Sequence, residues 1–211
     1  MRYTPVLAAA LFMAGCFGSK EKSAPTAVTE QGVDVKKDPL GALGALGRAG
    51  QDFEKFQKEL ENMPAVEPLH FSRLVAALPE PPGGWTAKPA RGETNQMGEF
   101  KMSRASRDYQ KEGGNERVQI QIEDWAFNRA IYAPFMLQAQ FSQESTDGYS
   151  KGIKAGEDPG REEYKVAQKR GHRSILFRKR YHTKVDIRNL EPAAFDEWWG
   201  LIKTSELPAT N

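Results

Sequence analysis

The chain has one cysteine, Cys16, and three histidines among its 211 residues. A single thiol excludes an internal disulfide and a cluster of thiolates around zinc. His70, His172 and His182 lack the spacing of metal ligands, so we expect no metal and no other cofactor. After Cys16 the sequence also lacks an apolar run long enough to cross a bilayer.

Common catalytic motifs are missing as well. There is no Gly-x-Ser-x-Gly, no His-Glu-x-x-His and no glycine-rich phosphate loop. Carboxylates are adjacent at Glu123-Asp124 and Glu162-Glu163, but neighbours on one strand point to opposite faces, so neither pair converges by itself. We therefore expect no catalytic residues and no enzymatic activity, and a cell-wall-directed hydrolase is only the third hypothesis.

The charge of the chain is nearly balanced, with 30 Lys plus Arg against 28 Asp plus Glu and a formal net charge of +2. This balance argues against a nucleic-acid binder. Apolar residues make up 39% of the chain, which is enough for one folded domain of moderate size.

The residues before Cys16 have the pattern of a secretory signal. Arg2 is basic, Pro5 to Met13 are mostly apolar, and Met13-Ala14-Gly15-Cys16 follows. This segment resembles the lipobox that signal peptidase II cleaves in bacterial lipoproteins. The resemblance implies loss of residues 1–15, a diacylglyceryl cysteine at Cys16 and an added acyl chain such as palmitate. The alternative is a signal peptide in which the cysteine occurs by chance.

The same resemblance bears on localisation in the cell envelope. In such lipoproteins an Asp after the lipidated cysteine favours the inner membrane, whereas Phe17 follows here. We therefore expect anchoring to the outer membrane through Cys16, which leaves open whether the domain faces the periplasm or the cell surface.

Four regions follow from the composition. Residues 1–15 are the signal peptide, and residues 16–47, poor in large apolar side chains, form a disordered tether. Residues 48–64 form an amphipathic helix whose apolar side chains share one face. Packing on its own domain is the favoured role of this helix, with partner docking as the alternative, through Phe53, Phe56, Leu60 and Met63.

Residues 65–211 are expected to form the globular domain. Val118, Ile120 and Ile122 alternate with polar residues, which predicts a half-buried strand. Spacing along Phe100–Tyr109 predicts a first strand with a bulge. A helix is expected from Pro134 to Gln143 and another from Pro192 to Thr204, with three or four strands between them. The predicted fold class is α+β, a mainly antiparallel sheet of about five to six strands packed with helices.

A weak family resemblance accompanies this order. Pro81-Pro82-Gly83-Gly84-Trp85, then Met97-Gly98, Gly148-Tyr149 and the terminal helix resemble uncharacterised bacterial envelope lipoproteins. Their sheet layout is similar to that of PsbP/Mog1-like domains. The resemblance implies an accessory or binding module without an active site.

Basic residues are concentrated between residues 165 and 188, where Asp186 is the only acidic residue. Arginine pairs with phosphate or carboxylate through two parallel hydrogen bonds, so the final hairpin is a candidate surface for an anion or a partner. A solvated sheet face is the alternative. The candidate residues are Arg178, Lys179, Arg180, His182, Lys184 and Arg188.

Four tryptophans are candidates for an aromatic ligand groove, namely Trp85, Trp125, Trp198 and Trp199. Core packing is the favoured reading, with one of the adjacent Trp198 and Trp199 expected at a rim. Together the patterns predict a lipid-anchored, non-catalytic binding or assembly module whose partner is an envelope protein or an anionic envelope polymer, and not nucleic acid. A small-ligand or glycan-binding lipoprotein is the alternative.

Overall fold

The computed structural model describes residues 28–31, 33–34, 66–98, 100–126 and 141–209, with scattered positions between 50 and 62 and between 132 and 139. Eleven strands in these residues form one sheet. They are β1 Val28–Gln31, β2 Val33–Asp34, β3 Trp85–Ala87, β4 Arg91–Met97, β5 Phe100–Lys111, β6 Arg117–Asp124, β7 Phe141–Ser145, β8 Gly148–Ala155, β9 Asp158–Lys165, β10 Arg170–Phe177 and β11 Tyr181–Arg188. The helices with complete bounds are α1 Phe71–Ala77 and α2 Ala194–Leu201, followed by a 3₁₀-helix at Thr204–Glu206.

The strand order is β2-β7-β8-β9-β10-β11-β6-β5-β3, and β1 and β4 extend the two edges by pairing with β8 and β5. Successive hairpins join β7 through β11, and β11 then pairs with β6. These pairings are antiparallel, whereas the short β2 pairs with β7 in parallel. The chain thus builds one wide sheet whose centre is the β10–β11–β6 group.

The predicted α+β class with five to six strands is wrong, because the fold is rich in β structure and has few helices. The predicted strands correspond to β5, β6 and β8 to β11, whereas the sequence patterns predict none of β1, β2, β3, β4 and β7. The β4 sequence Arg-Gly-Glu-Thr-Asn-Gln-Met has no apolar alternation, and its described side chains are exposed. Such an edge strand is held by backbone pairing with β5, which leaves no hydrophobic pattern in the sequence.

The main core lies on one face of the sheet, beneath α1 and α2. Val118, Ile120 and Ile122 of β6 are buried as predicted, and Tyr181, Val185 and Ile187 of β11 face the same side. Phe195, Trp198 and Trp199 of α2 complete this core. The alternation of buried and exposed positions in β6 and β11 therefore sets which sheet face is apolar.

A smaller core covers one end of the opposite face. It consists of Trp125, Tyr132, Met136 and Leu176, with Met102 of β5 packed against it. The predicted helix from Pro134 to Gln143 is wrong at its end, since Phe141 begins β7 and is 40% exposed. Backbone pairing of residues 143–145 with β8 draws this part of the chain into the sheet.

The predicted bulge within β5 is also wrong. Its pairing with β6 keeps one register from Ser103 to Gln110. Met102 lies instead on the opposite face from Ala105 and Tyr109, so the spacing reflects two separate cores. The register shift lies between β3 and β4, where residues 88–90 face only Arg107 and Asp108 of β5.

Several predicted features lie outside the described residues. Among them are the signal segment, Cys16 and the candidate docking side chains Phe53, Phe56, Leu60 and Met63. Helical positions are described at Gly50, Gln51, Glu54, Lys55, Lys58 and Asn62. Residues 28–31 and 33–34, assigned above to the tether, form β1 and β2.

Candidate binding face

The sheet face opposite α1 and α2 is polar over most of its described width. We call this the open face, meaning the side chains of β5, β6, β11, β10 and β9 that alternate with the core residues. Concavities of about 600 Å³ and about 310 Å³ lie near its centre, and a third of about 440 Å³ lies at the β8–β9 side. Asp186 and Arg188 line both central concavities, so these two hollows join across β11. The open face therefore offers a continuous depression with several charged side chains in its lining.

One row of cations crosses four neighbouring strands at the end of this face. Arg188 of β11 lies directly opposite Arg117 of β6 on one side and Arg170 of β10 on the other. Arg170 in turn lies opposite Lys165 of β9. All four side chains are exposed. We call Lys165, Arg170, Arg188 and Arg117 the basic row.

A second row lies two residues further along each strand. Asp186 of β11 is flanked by His172 of β10 and Gln119 of β6, and Asp108 of β5 follows Gln119. Gln119 donates to Asp108 at 2.8 Å, and Lys184 is 3.0 Å from Asp186. Burial lowers the pKa of His172 below the ordinary histidine value, despite the opposing effect of Glu163. We call Asp108, Gln119, Asp186 and His172 the acceptor row.

The predicted basic hairpin is divided by the fold. Arg180 is only 5% exposed and bonds both carboxylate oxygens of Asp124, at 2.8 and 2.7 Å. Arg178 donates to the carbonyl of Leu207 at 2.5 Å and lies over the Phe177 ring. Lys179 lies beside Arg178 in the turn, where both residues have positive φ. Of the six candidates, only His182, Lys184 and Arg188 belong to the open face.

His182 is held in a cluster with β6. Its ring stacks on Trp125 with centroids 4.5 Å apart, and its Nδ1 lies 3.1 Å from Glu123. The Trp125 indole also donates to Glu123 at 3.1 Å. Burial favours the neutral acid of Glu123, but these hydrogen bonds outweigh it and lower its pKa below the ordinary value. The cluster fastens the small core to the sheet and leaves His182 little freedom to meet a ligand.

The four tryptophans do not line one groove. Trp198 packs in the main core against Trp85 and Tyr109, with ring centroids 4.9 and 4.7 Å apart. Trp199 is 4% exposed, so the expected rim position for one of this pair is wrong; it meets Phe177 edge-on instead. Trp125 lies in the small core on the other face. Both adjacent indoles of α2 are buried because each packs against different residues of the sheet.

The paired carboxylates also separate, as strand geometry predicts. Asp124 and Glu162 point into the core side, where each is paired with a buried arginine. Glu123 and Glu163 point to the open face, where they contact His182 and Arg161. Among the described residues no group of three or more His, Cys, Asp or Glu could hold a metal ion.

Sequence reasoning missed the basic row as a unit. Lys165 and Arg170 were noticed only as members of a basic stretch, and Arg117 lies far from that stretch in sequence. Only the β11–β6 and β10–β11 registers bring the three arginines together. The one local indication of the basic row is the alternation along β11, which places Arg188 on the side of the strand away from the core.

Comparison with protein-family models, with curated proteins and with solved structures finds no match. Within the part of the chain that the structure describes, no helix has both the length and the apolar character needed to cross a membrane.

Proposed function

We propose that this chain is a lipid-anchored, non-catalytic protein of the bacterial envelope that acts as a binding or assembly module through its open face. The observation that carries the binding role is the joined depression across β5, β6, β11 and β10, lined by charged side chains that are exposed or partly exposed. Because the solvent-facing side of an antiparallel sheet is ordinarily polar, the depression and the rows of charge along it, and not polarity alone, support the binding role.

The domain is suited to present this face rigidly. Its strands are braced from behind by α1 and α2, and the buried Arg173 joins β10 to β9 and α2 through Glu162 and Asp196. A backbone already held in paired strands loses little conformational freedom on binding, which favours recognition. The anchor rests on the Met13-Ala14-Gly15-Cys16 segment of the sequence.

The alternative of a small-ligand site in an aromatic groove receives less support, because the tryptophans lie on opposite sides of the sheet. Trp198 and Trp199 are buried in the main core, whereas Trp125 is buried in the small core. A hydrolase needs two carboxylates that converge on a substrate. Asp124 and Glu162 are instead engaged with Arg180 and Arg173. The open face therefore remains the better-supported site.

The binding role is tested by photo-crosslinking in living cells. A photoreactive residue at Gln119, in the middle of the open face, should give a discrete adduct with an envelope component. The same residue at Glu197, exposed on α2 behind the sheet, is the matched control. Equal labelling at both positions, or none at Gln119, would remove the basis for this function.

The anchor has its own test. Cys16→Ala should yield an unprocessed precursor or a protein released from the membrane fraction, because the thiol that accepts the lipid is gone. Cys16→Ser controls for size. Wild-type processing and retention in both variants would refute the lipid anchor while leaving the open face untouched.

A further inference from the structure

The basic row places like charges directly opposite one another, which sheets normally avoid. Cross-strand neighbours on one face are in contact, and like charges in this position destabilise the pairing. Arg188 has an arginine on both sides, and Arg170 has Arg188 and Lys165. With strands about 4.8 Å apart, the four cations span roughly 14 Å in a line.

The described residues do little to neutralise this row. Arg117 donates to the uncharged Gln110 at 2.8 Å. Within the described part of the chain, Lys165, Arg170 and Arg188 make no ion pair, whereas nearby Lys169 and Lys111 are paired with Glu191 and Glu116. Among the described residues, the repulsion in the row is therefore screened mainly by solvent, and an anionic ligand would offset it further.

The acceptor row beside it narrows the chemistry of that ligand. Asp108, Asp186 and Gln119 offer oxygen atoms that accept hydrogen bonds, and a neutral His172 offers one donor and one acceptor. A ligand that meets both rows carries anions along one edge and hydrogen-bond donors, such as hydroxyls, along the other. Acidic polysaccharides have both groups on every repeating unit.

Resting on the proposed binding role of the open face, we infer that Lys165, Arg170, Arg188 and Arg117 bind the carboxylates of an extended acidic polysaccharide, whose hydroxyls donate to Asp108 and Asp186. The chain runs across the strands, parallel to the basic row. A polyphosphate lacks hydroxyl donors for Asp108 and Asp186.

The test uses the purified full-length chain in nonionic detergent and measures Kd by fluorescence anisotropy. The probes are labelled oligomers of polygalacturonate and of alginate, with dextran, polyphosphate and phosphatidylglycerol vesicles for comparison. Arg170→Gln combined with Arg188→Gln should weaken binding to an acidic oligomer roughly tenfold, since two exposed charge pairs are lost. Arg73→Gln combined with Lys203→Gln, an equal charge change behind the sheet, should alter Kd less than about twofold.

Asp186→Ala separates recognition from simple charge attraction. Removing this carboxylate makes the face more positive, so it should tighten polyphosphate binding. It should weaken binding of the acidic oligomers, because a hydroxyl acceptor is lost. Near-ultraviolet circular dichroism checks that each variant is folded.

Three results would overturn the inference. These are no binding of either acidic oligomer, an equal loss in the Arg73/Lys203 control, or tightening of oligomer binding by Asp186→Ala. Stronger binding to the vesicles than to the oligomers would assign the row to a membrane surface instead. If a specific Gln119 adduct persists while the oligomers fail to bind, the proposed binding function stands and the polysaccharide is wrong.

Discussion

Replacing Arg180 with Met should destabilise the domain strongly. Asp124 is fully buried and accepts four hydrogen bonds, two from Arg180 and one each from the amides of Leu69 and Ala126. Arg180 also donates to the carbonyl of Glu67 at 3.1 Å. The pair thus joins the turn after β10 to the end of β6 and to the segment that leads into α1.

The magnitude follows from what the substitution leaves behind. Methionine fills the space of the arginine stem but leaves the Asp124 carboxylate buried without its cation, which costs about 3–5 kcal/mol. For a domain of this size the melting temperature should fall by roughly 6–20 °C. Urea unfolding followed by circular dichroism gives the free energy of unfolding directly.

A second variant isolates the charge. Asp124→Asn combined with Arg180→Met removes both charges and keeps a side-chain oxygen for the backbone amides, so it should lose less stability than Arg180→Met alone. Arg104→Met, which breaks a half-exposed pair with Glu93, is the control and should cost no more than about 1 kcal/mol. A loss below that level for Arg180→Met, or a loss in the double variant as large as that of Arg180→Met alone, would refute the reasoning.

Two further predictions concern charge placement. Arg188→Gln should stabilise the ligand-free domain by about 0.2–1 kcal/mol in urea unfolding, because it relieves repulsion from Arg117 and Arg170; a loss of stability would contradict the strained row. Burial raises the pKa of Asp158 to about 6, despite the hydrogen bond from the Arg178 amide. Because the folded state then holds the proton more tightly than the unfolded one, this group's contribution to stability falls as pH rises from about 4 to 6. Asp158→Asn should remove that decline, and identical pH profiles of the two proteins would disprove it.

The strongest local patterns were read correctly. Strict alternation in Val118–Ile122 predicts both a strand and its buried face, because every second side chain must enter the core. The terminal helix was equally visible from Phe195, Trp198 and Ile202. Where apolar residues recur with the period of a strand or a helix, the sequence alone predicts the element and its buried face.

The edge strands and the second core were not visible in this way. β4 and β7 are polar, and their backbone hydrogen bonds to β5 and β8 leave no trace in the side chains. The spacing of Met102 from the core residues of the same strand predicts a bulge, because no local pattern indicates a second apolar cluster on the other side of the sheet. The sequence patterns therefore predict too few strands, and for this reason the predicted α+β class is wrong.

The sequence by itself determined which faces of the central strands are apolar, the placement of the terminal helix and the cysteine expected to carry a lipid. Only the tertiary structure decided which cations are free for a ligand. Arg180, prominent in the sequence, is neutralised by Asp124, which lies 56 positions away. Arg117, which no local pattern singles out, joins Arg170 and Arg188. The physical reason is that strand register brings residues distant in sequence next to one another. Those neighbours decide whether a charged side chain forms an ion pair or stays exposed to solvent.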